Sequence, residues 1–158
     1  MNCSSLESIT IGNSVTSIGQ SAFYDCSSLT SIKISNSVTS IQSETFRNCS
    51  KVKTITIPNS IKIIGSTAFY KCTSLETIII GNSVESIDWY AFAECSNLTS
   101  ITISSLTTIG TAAFKNCSKL TTVTIISSST DSYEQCKRNL INAGINSTAT
   151  FDWYSITE

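Results

Sequence analysis

A pattern of hydrophobic and polar positions recurs along most of the chain with a step of 23 residues, shortened once to 22. The unit reads C-S-x-L-x-x-I-x-I-x-N-S-V-x-x-I-x-x-x-A-F-x-x. Five units begin at Cys3, Cys26, Cys49, Cys72 and Cys95, and a partial sixth begins at Cys117. Self-similarity at a fixed period of this length predicts a solenoid in which each unit forms one turn of chain.

Each unit is expected to have three sides. The I-x-I motif puts two isoleucines on the same face of a short strand, and turn residues such as Gly12-Asn13 end that strand. V-x-x-I then forms a second side and A-F a third. Equivalent strands of stacked turns run in the same direction, so the predicted sheet is parallel. In the fifth unit the turn Ser104–Leu106 is one residue short, and we expect Leu106 to keep the core position of Val84.

The last 30 or so residues break the period, and their first part predicts a helix at about 131–143. Thr130 or Asp131 is the expected N-cap residue, because both side chains can accept a backbone hydrogen bond there. Gly144 follows at the position where helices commonly end in a left-handed residue.

The segment at about 148–154 predicts a strand with Phe151 and Trp153 on one face. A terminal unit of different pattern is expected to cover the core of the last turn. We therefore expect a solenoid over residues 1–126 and a C-terminal cap over residues 127–158.

The repeat resembles the leucine-rich repeat of the BspA-like family, also called the Treponema pallidum type. The resemblance covers residues 3 to about 126 and rests on the joint recurrence of the I-x-I strand and the A-F-x-x-C step. It implies a curved α/β solenoid, mostly β and irregular, with the parallel sheet on its concave face and a helix-containing cap. It also implies a secreted or cell-surface adhesion protein that binds protein, cell-surface or matrix ligands. No signal peptide is evident in these residues, so a cytoplasmic location stays open.

The composition argues against several other classes of function. The chain has 10 Lys+Arg, 11 Asp+Glu and no His, and only 13% of its residues are charged. It is not built to hold nucleic acid or an anionic membrane by charge. No apolar run approaches the roughly 20 residues of a membrane span. Without His or closely spaced cysteine pairs we expect no zinc site, no cofactor and no enzymatic activity.

One cysteine per unit at a fixed position predicts a column of buried free thiols. The side chains of such a column are parallel, an orientation that does not suit a disulfide. Cys136 lies off the repeat. It is expected to be buried against the last turn, and the alternative is a bridge to Cys117.

Candidate binding residues lie at the outward positions of the strands, where Ser and Thr predominate; together these two residues supply 52 of the 158 positions. The candidates on this face are Thr10, Lys33, Thr54, Thr56, Thr77, Ile79 and Thr102. The alternative is a merely solvated sheet surface. A Thr-x-Thr array is also typical of ice-binding or glycan-binding solenoids, but Lys33 and Ile79 interrupt the row.

Aromatic residues form a second candidate group. Trp89 and Tyr90 stand where other units have mostly small or polar residues, and Tyr70 lies two residues before Cys72, the repeat cysteine that begins the next unit. Exposed Trp and Tyr are common anchors for a partner. The alternative is local packing on the neighbouring turn.

Three functions follow in order of preference: a protein-binding module, a structural spacer without its own ligand, and an enzyme. The chain begins part-way through a unit, so we expect it to be the C-terminal piece of a longer repeat protein. The first turn then leaves apolar side chains and a strand edge at about residues 6–11 uncovered. We expect end-to-end association of two copies through these first turns.

Overall fold

The computed structural model describes residues 3–155; the predicted solenoid and cap also include residues 1–2 and 156–158, which lie outside the described part. The strands and the helix follow the chain as β1 (Ser8–Thr10), β2 (Ser31–Lys33), β3 (Ser40–Ile41), β4 (Thr54–Ile57), β5 (Ile63–Ile64), β6 (Thr77–Ile80), β7 (Ser86–Ile87), β8 (Ser100–Ser104), β9 (Thr108–Ile109), β10 (Thr122–Ser127), α1 (Thr130–Asn142) and β11 (Thr150–Ser155). Within residues 3–155 the paired strands all run parallel. The predicted parallel-sheet solenoid, of about five turns, is confirmed.

The first side of the solenoid is a sheet with strand order β4, β6, β8, β10, β11, which we call the main sheet. The parallel pair β1–β2 lies beside it in the preceding two turns. Along β4 the side chains alternate: Ile55 and Ile57 are buried, whereas Thr54 and Thr56 are exposed. This alternation follows from the two-residue period of a strand with one face against a core.

The second side is a narrow sheet of two-residue strands in the order β3, β5, β7, β9. Ile41, Ile64 and Ile87 point inward from it and are fully or almost fully buried.

The third side is a turn segment built around the repeated phenylalanine. The rings of Phe23, Phe46, Phe69, Phe92 and Phe114 stack in series with centroids 5.1–5.5 Å apart. Two non-glycine residues per turn have left-handed φ angles of 53–64°. Backbone N–H groups of one turn therefore point at carbonyls of the next, as Phe69 N does at Ala91 O (2.8 Å).

The repeat cysteines pack next to this phenylalanine stack. Five of the six are buried, and the Sγ atoms of four, Cys49, Cys72, Cys95 and Cys117, each donate to the phenylalanine carbonyl of the preceding turn at 3.1–3.3 Å. The expectation of six buried thiols is wrong at Cys3, which is exposed. The described residues place no turn of chain on the outer side of Cys3. Cys136 is buried, and it and Cys117 are both free thiols.

The shortened turn of the fifth unit shifts the core register, contrary to our expectation. Leu106 is 82% exposed, and Thr107 occupies the buried position instead. The Thr107 hydroxyl donates to Val84 O at 2.8 Å, so the buried polar group has a partner. In the first turn Val15 is likewise exposed (38%), because only the second turn packs against it.

The segment after β10, which we call the cap, packs against the turn that contains Phe114. The N-cap of α1 is Ser129 rather than Thr130 or Asp131, and its side chain accepts a hydrogen bond from Ser132 N. At the other end of α1, Ala143 O accepts from Phe114 N at 3.0 Å, as the next turn's carbonyl does elsewhere. Gly144 follows with φ 107° and lies directly on Lys115. The chain then adds β11 beside β10.

Candidate functional site

The outward residues of the main sheet and of β1–β2 form one surface, which we call the hydroxyl face. The strand register aligns two rows across the main sheet. One row is Thr54, Thr77, Ser100, Thr122 and Thr150, and the other is Thr56, Ile79, Thr102, Thr124 and Asp152. In β1–β2, Thr10 lies opposite Lys33. The structure therefore brings the seven sheet candidates onto one face.

The hydroxyls of this face are available to a ligand. The hydroxyls of Thr30 and Thr99, which lie just before their strands, donate hydrogen bonds to backbone carbonyls of the preceding turn. By contrast, within residues 3–155 the hydroxyls of Thr54, Thr56 and Thr77 make no such bond, and all three side chains are exposed. A hydroxyl can donate one hydrogen bond and accept two, so the face offers both polarities in a regular array.

Two residues give this face more than hydroxyl chemistry. Ile79 lies between Thr56 and Thr102 in its row, is 61% exposed and provides an apolar contact. Lys33 is exposed on β2, near the N-terminal end of the face, and provides a positive charge. A face that combines hydroxyls, one apolar side chain and few charges suits a protein surface better than a highly charged polymer.

Sequence reasoning missed two residues of this face, Asp152 and Tyr154, on β11. Tyr154 lies opposite Ile126 of β10 and is 65% exposed. The alternation that places Phe151 and Trp153 on one face already implied that Asp152 and Tyr154 share the other. What the sequence did not show was that β11 would pair with β10.

The aromatic candidates lie on a different side of the solenoid. Trp89 and Tyr90 belong to the turn segment after β7, where Trp89 is 63% exposed and Tyr90 is half-buried. The Lys115 Nζ atom lies 5.9 Å from the centre of the Tyr90 ring. The hydroxyl face and Trp89 therefore form two separate candidate surfaces.

Tyr70 has a structural role on that turn side. Its ring lies 5.0 Å from the guanidinium carbon of Arg47, and the Tyr24 ring lies 5.6 Å away on the same group. Arg47 Nη1 also pairs with Glu44 Oε1 at 2.9 Å. Because Tyr70 is half-buried in this stack, its ring is less available to a partner than the Trp89 indole.

The chemistry of the buried thiols does not suggest a nucleophile. Burial raises the pKa of Cys49 to about 12 and the pKa of Cys136 to about 11, and it also raises the pKa values of Cys72 and Cys95. The reactive species of cysteine is the thiolate, so these groups stay protonated and inert at neutral pH. Among residues 3–155, no three His, Cys, Asp or Glu side chains could hold a metal ion together.

A groove of about 630 Å³ lies between the start of α1 and Ser105. Asp131, Glu134 and Arg138 of α1 line it. Asp131 lies in the first turn of α1, where a carboxylate stabilises the helix dipole.

Comparison with known proteins agrees with the repeat and the solenoid described above. A family model of the BspA type leucine-rich repeat region matches residues 1–121 in six copies. The crystal structure of a leucine-rich cell surface protein from Faecalibacterium prausnitzii A2-165 superposes with a TM-score of 0.70 and 40% sequence identity. That match covers 78% of this chain and 34% of the other, so this chain spans about a third of that protein's length.

A second structure, the leucine-rich repeat protein of T. pallidum, superposes with a TM-score of 0.59 over 94% of this chain and 76% of that one. Its sequence identity is 23%, so it supports the fold alone. No curated protein sequence matches the chain. Within the described residues, no helix has the length and apolar character needed to cross a membrane.

Proposed function

We propose that this chain, which belongs to the BspA-type leucine-rich repeat family, is a non-catalytic module that binds protein ligands at a cell surface through its hydroxyl face. The observation that carries the proposal is the exposed, unbonded Thr array with Ile79 at its centre. The similarity to a cell surface protein of F. prausnitzii supports the location.

The rigidity of the sheet favours binding by this face. Each strand of the main sheet is held by parallel pairing to its neighbours, and its inward isoleucines are buried. The backbone positions that carry the outward side chains are therefore fixed before a partner arrives. Such preorganisation lowers the entropic cost of association.

Trp89 is proposed as an additional anchor for a partner that reaches around the solenoid. Its indole is exposed, and the equivalent positions of the adjacent turns carry the small side chains of Ser66 and Thr111. Tyr90 and Tyr70 contribute less, because both are half-buried.

The proposal is tested by exchanging one residue of the hydroxyl face for a large charged one. In Thr56→Arg, a long cationic side chain stands in the centre of the face. The matched control is Thr39→Arg, because Thr39 is also exposed but precedes β3 on the second sheet. Both variants are compared with the unmodified chain in pull-downs from extracellular-matrix and bacterial-surface fractions.

Retention of a defined protein by the unmodified chain and by Thr39→Arg, with loss in Thr56→Arg, supports the proposed face. Equal retention by both variants would place the binding site elsewhere, with Trp89 as the next residue to replace. If no protein is retained by any of the three, the chain is better described as a structural spacer.

A further inference from the structure

The hydroxyl face has an electrostatic polarity that the repeat itself does not require. Among the outward positions of its described strands, Lys33 and Asp152 carry the only charges. The two charges have opposite signs and lie near opposite ends of one row, which consists of Thr10, Lys33, Thr56, Ile79, Thr102, Thr124 and Asp152. A ligand that lies along this row therefore meets a cation at one end and an anion at the other.

The solenoid does not use either charge for its own stability. Elsewhere, charged residues of successive turns pair with each other, as Lys62 Nζ does with Glu85 Oε1 at 3.0 Å. Within the part of the chain that the structure describes, Lys33 and Asp152 form no such ion pair, and both are exposed. Charges held on a rigid sheet without a partner can attract opposite charges of a ligand and set its orientation.

The Asp152 end of the row also carries an aromatic group that suits a cation. Tyr154 is the next residue of β11 on the same face, and it is 65% exposed. An exposed aromatic ring near a carboxylate attracts the ammonium of Lys or the guanidinium of Arg through both its π face and the neighbouring charge. This end therefore suits a basic side chain of a ligand, whereas Lys33 suits an acidic one.

We propose that the protein ligand of this face, whose existence rests on the proposed function, presents an acidic, an apolar and a basic side chain in line, opposite Lys33, Ile79 and Asp152. Neighbouring strands of a sheet lie about 4.8 Å apart. Ile79 is two strands from Lys33 and three from Asp152. The acidic group of the ligand then lies about 10 Å from its apolar group, and the basic group about 14 Å from it. This unequal spacing fixes the direction in which the ligand lies.

The test exchanges the two charges without changing the net charge of the chain. The double variant Lys33→Glu with Asp152→Lys reverses the polarity of the row. The matched control, Lys62→Glu with Glu85→Lys, reverses an ion pair beside the second sheet. The probe is a phage-displayed library of random peptides, selected separately on the unmodified chain and on each double variant. Only peptides that lose binding when Thr56→Arg is added are counted, so that all of them use the hydroxyl face.

Peptides selected on the unmodified chain and on the control should carry an acidic residue nearer to the apolar residue and a basic residue farther from it. Peptides selected on the Lys33 and Asp152 exchange should carry the two charges in the reverse arrangement. Each group of peptides should bind the chain of opposite polarity at least about tenfold more weakly. Added salt should reduce this difference, because the contacts are exposed.

Selection of the same peptides by the unmodified chain and by the Lys33 and Asp152 exchange would overturn the proposed polarity, as would the absence of any peptide that depends on this face. The pull-downs test the proposed function separately. A protein that is lost in Thr56→Arg but retained by the exchange would keep the hydroxyl face as a binding site and refute its polarity. Since all four exchanged residues are exposed, the variants are expected to fold, and circular dichroism melting checks this.

Discussion

Phe69 shows how strongly a single residue of the repeat is constrained. Its ring is stacked between Phe46 and Phe92, and the side chain is almost fully buried. Neighbouring turns hold their own positions, so they can relax only partly around a lost ring.

Replacing Phe69 by Ala should therefore cost about 3–5 kcal/mol of unfolding free energy. Thr56→Ala, on the exposed hydroxyl face, should cost less than about 1 kcal/mol. Urea denaturation of both variants measures the difference. Similar losses in the two would mean that the inside and outside of the solenoid are wrongly assigned.

The thiols should differ sharply in reactivity. Cys3 is exposed, whereas the other six cysteines are buried. Native-state labelling with a bulky maleimide, read out by mass spectrometry, should modify Cys3 quickly and the others only on unfolding. Rapid labelling of Cys72 or Cys95, in the middle of the stack, would contradict the observed core.

The raised thiol pKa values also predict a loss of stability at high pH. Cys49 has a pKa of about 12 in the folded chain, against an ordinary value of 9.0. Above about pH 9 the unfolded chain loses this proton while the folded chain keeps it, so the free energy of unfolding falls as pH rises. Below that pH the stabilisation is fully present.

Between about pH 9 and about pH 10.5, Cys49 alone should account for a loss of about 2 kcal/mol. Other groups titrate in the same range, so Cys49→Ala serves as the control. Denaturant unfolding of both chains across this range should show the steeper decline in the unmodified chain. Parallel declines would mean that the buried thiol does not keep its proton.

At the residue scale, the sequence predicted the core of the intact units that have a turn packed on both sides, but not the exposure of Val15 in the first turn. The prediction failed in the fifth unit, which is one residue short. The deletion left two residues, Leu106 and Thr107, that could fill the same core position, and we chose Leu106 because it is the more hydrophobic. The structure buries Thr107 because its hydroxyl finds Val84 O. A periodic pattern also cannot show that Cys3 has only one neighbouring turn.

At the scale of elements, the cap packs on the last turn because α1 ends where Ala143 can bond to that turn. Ala143 O meets Phe114 N, and Gly144 lets the chain pass directly over Lys115. A Cβ atom on Gly144 would lie 2.9 Å from Lys115 Cα and N, and the residue has φ 107°.

Gly144→Ala should therefore destabilise the docking of α1 by about 1–3 kcal/mol through backbone strain and the clash with Lys115. Gly12→Ala is the matched control, since a Cβ atom there meets nothing within 4 Å. Thermal unfolding should show a lower midpoint for Gly144→Ala only. Equal midpoints for the two variants would mean that the cap is not closely fitted to the last turn.

The sequence predicted the cap's helix and strand but not their exact relations. The predicted helix, at about 131–143, differs from α1 by one residue at each end, because Gly144 and the polar run before α1 are local signals. The N-cap was misassigned, since several adjacent Ser and Thr residues could cap equally well and Ser129 was selected by its extended backbone. The pairing of β11 with β10 is a long-range contact, so no local pattern could reveal that Asp152 and Tyr154 extend the hydroxyl face.

At the scale of the whole molecule, the same stacking that buries the core produces the hydroxyl face. Every strand added to the main sheet extends the rows of outward hydroxyls. Some outward positions of the rows carry a residue other than Ser or Thr, and Ile79 is the main example. Because Ile79 is exposed, packing of the core does not require an isoleucine there. Those differences are therefore where specificity for a ligand is expected.

The most direct test of this account compares two exposed isoleucines. Ile79 lies on the hydroxyl face and is 61% exposed, whereas Ile63 lies on the second sheet and is 45% exposed. For a protein ligand captured by the unmodified chain, biolayer interferometry measures the affinity of Ile79→Arg and of Ile63→Arg. The account predicts at least about a tenfold loss, or about 1.4 kcal/mol, for Ile79→Arg and no change for Ile63→Arg. Unchanged affinity in Ile79→Arg, or an equal loss in both, would contradict it.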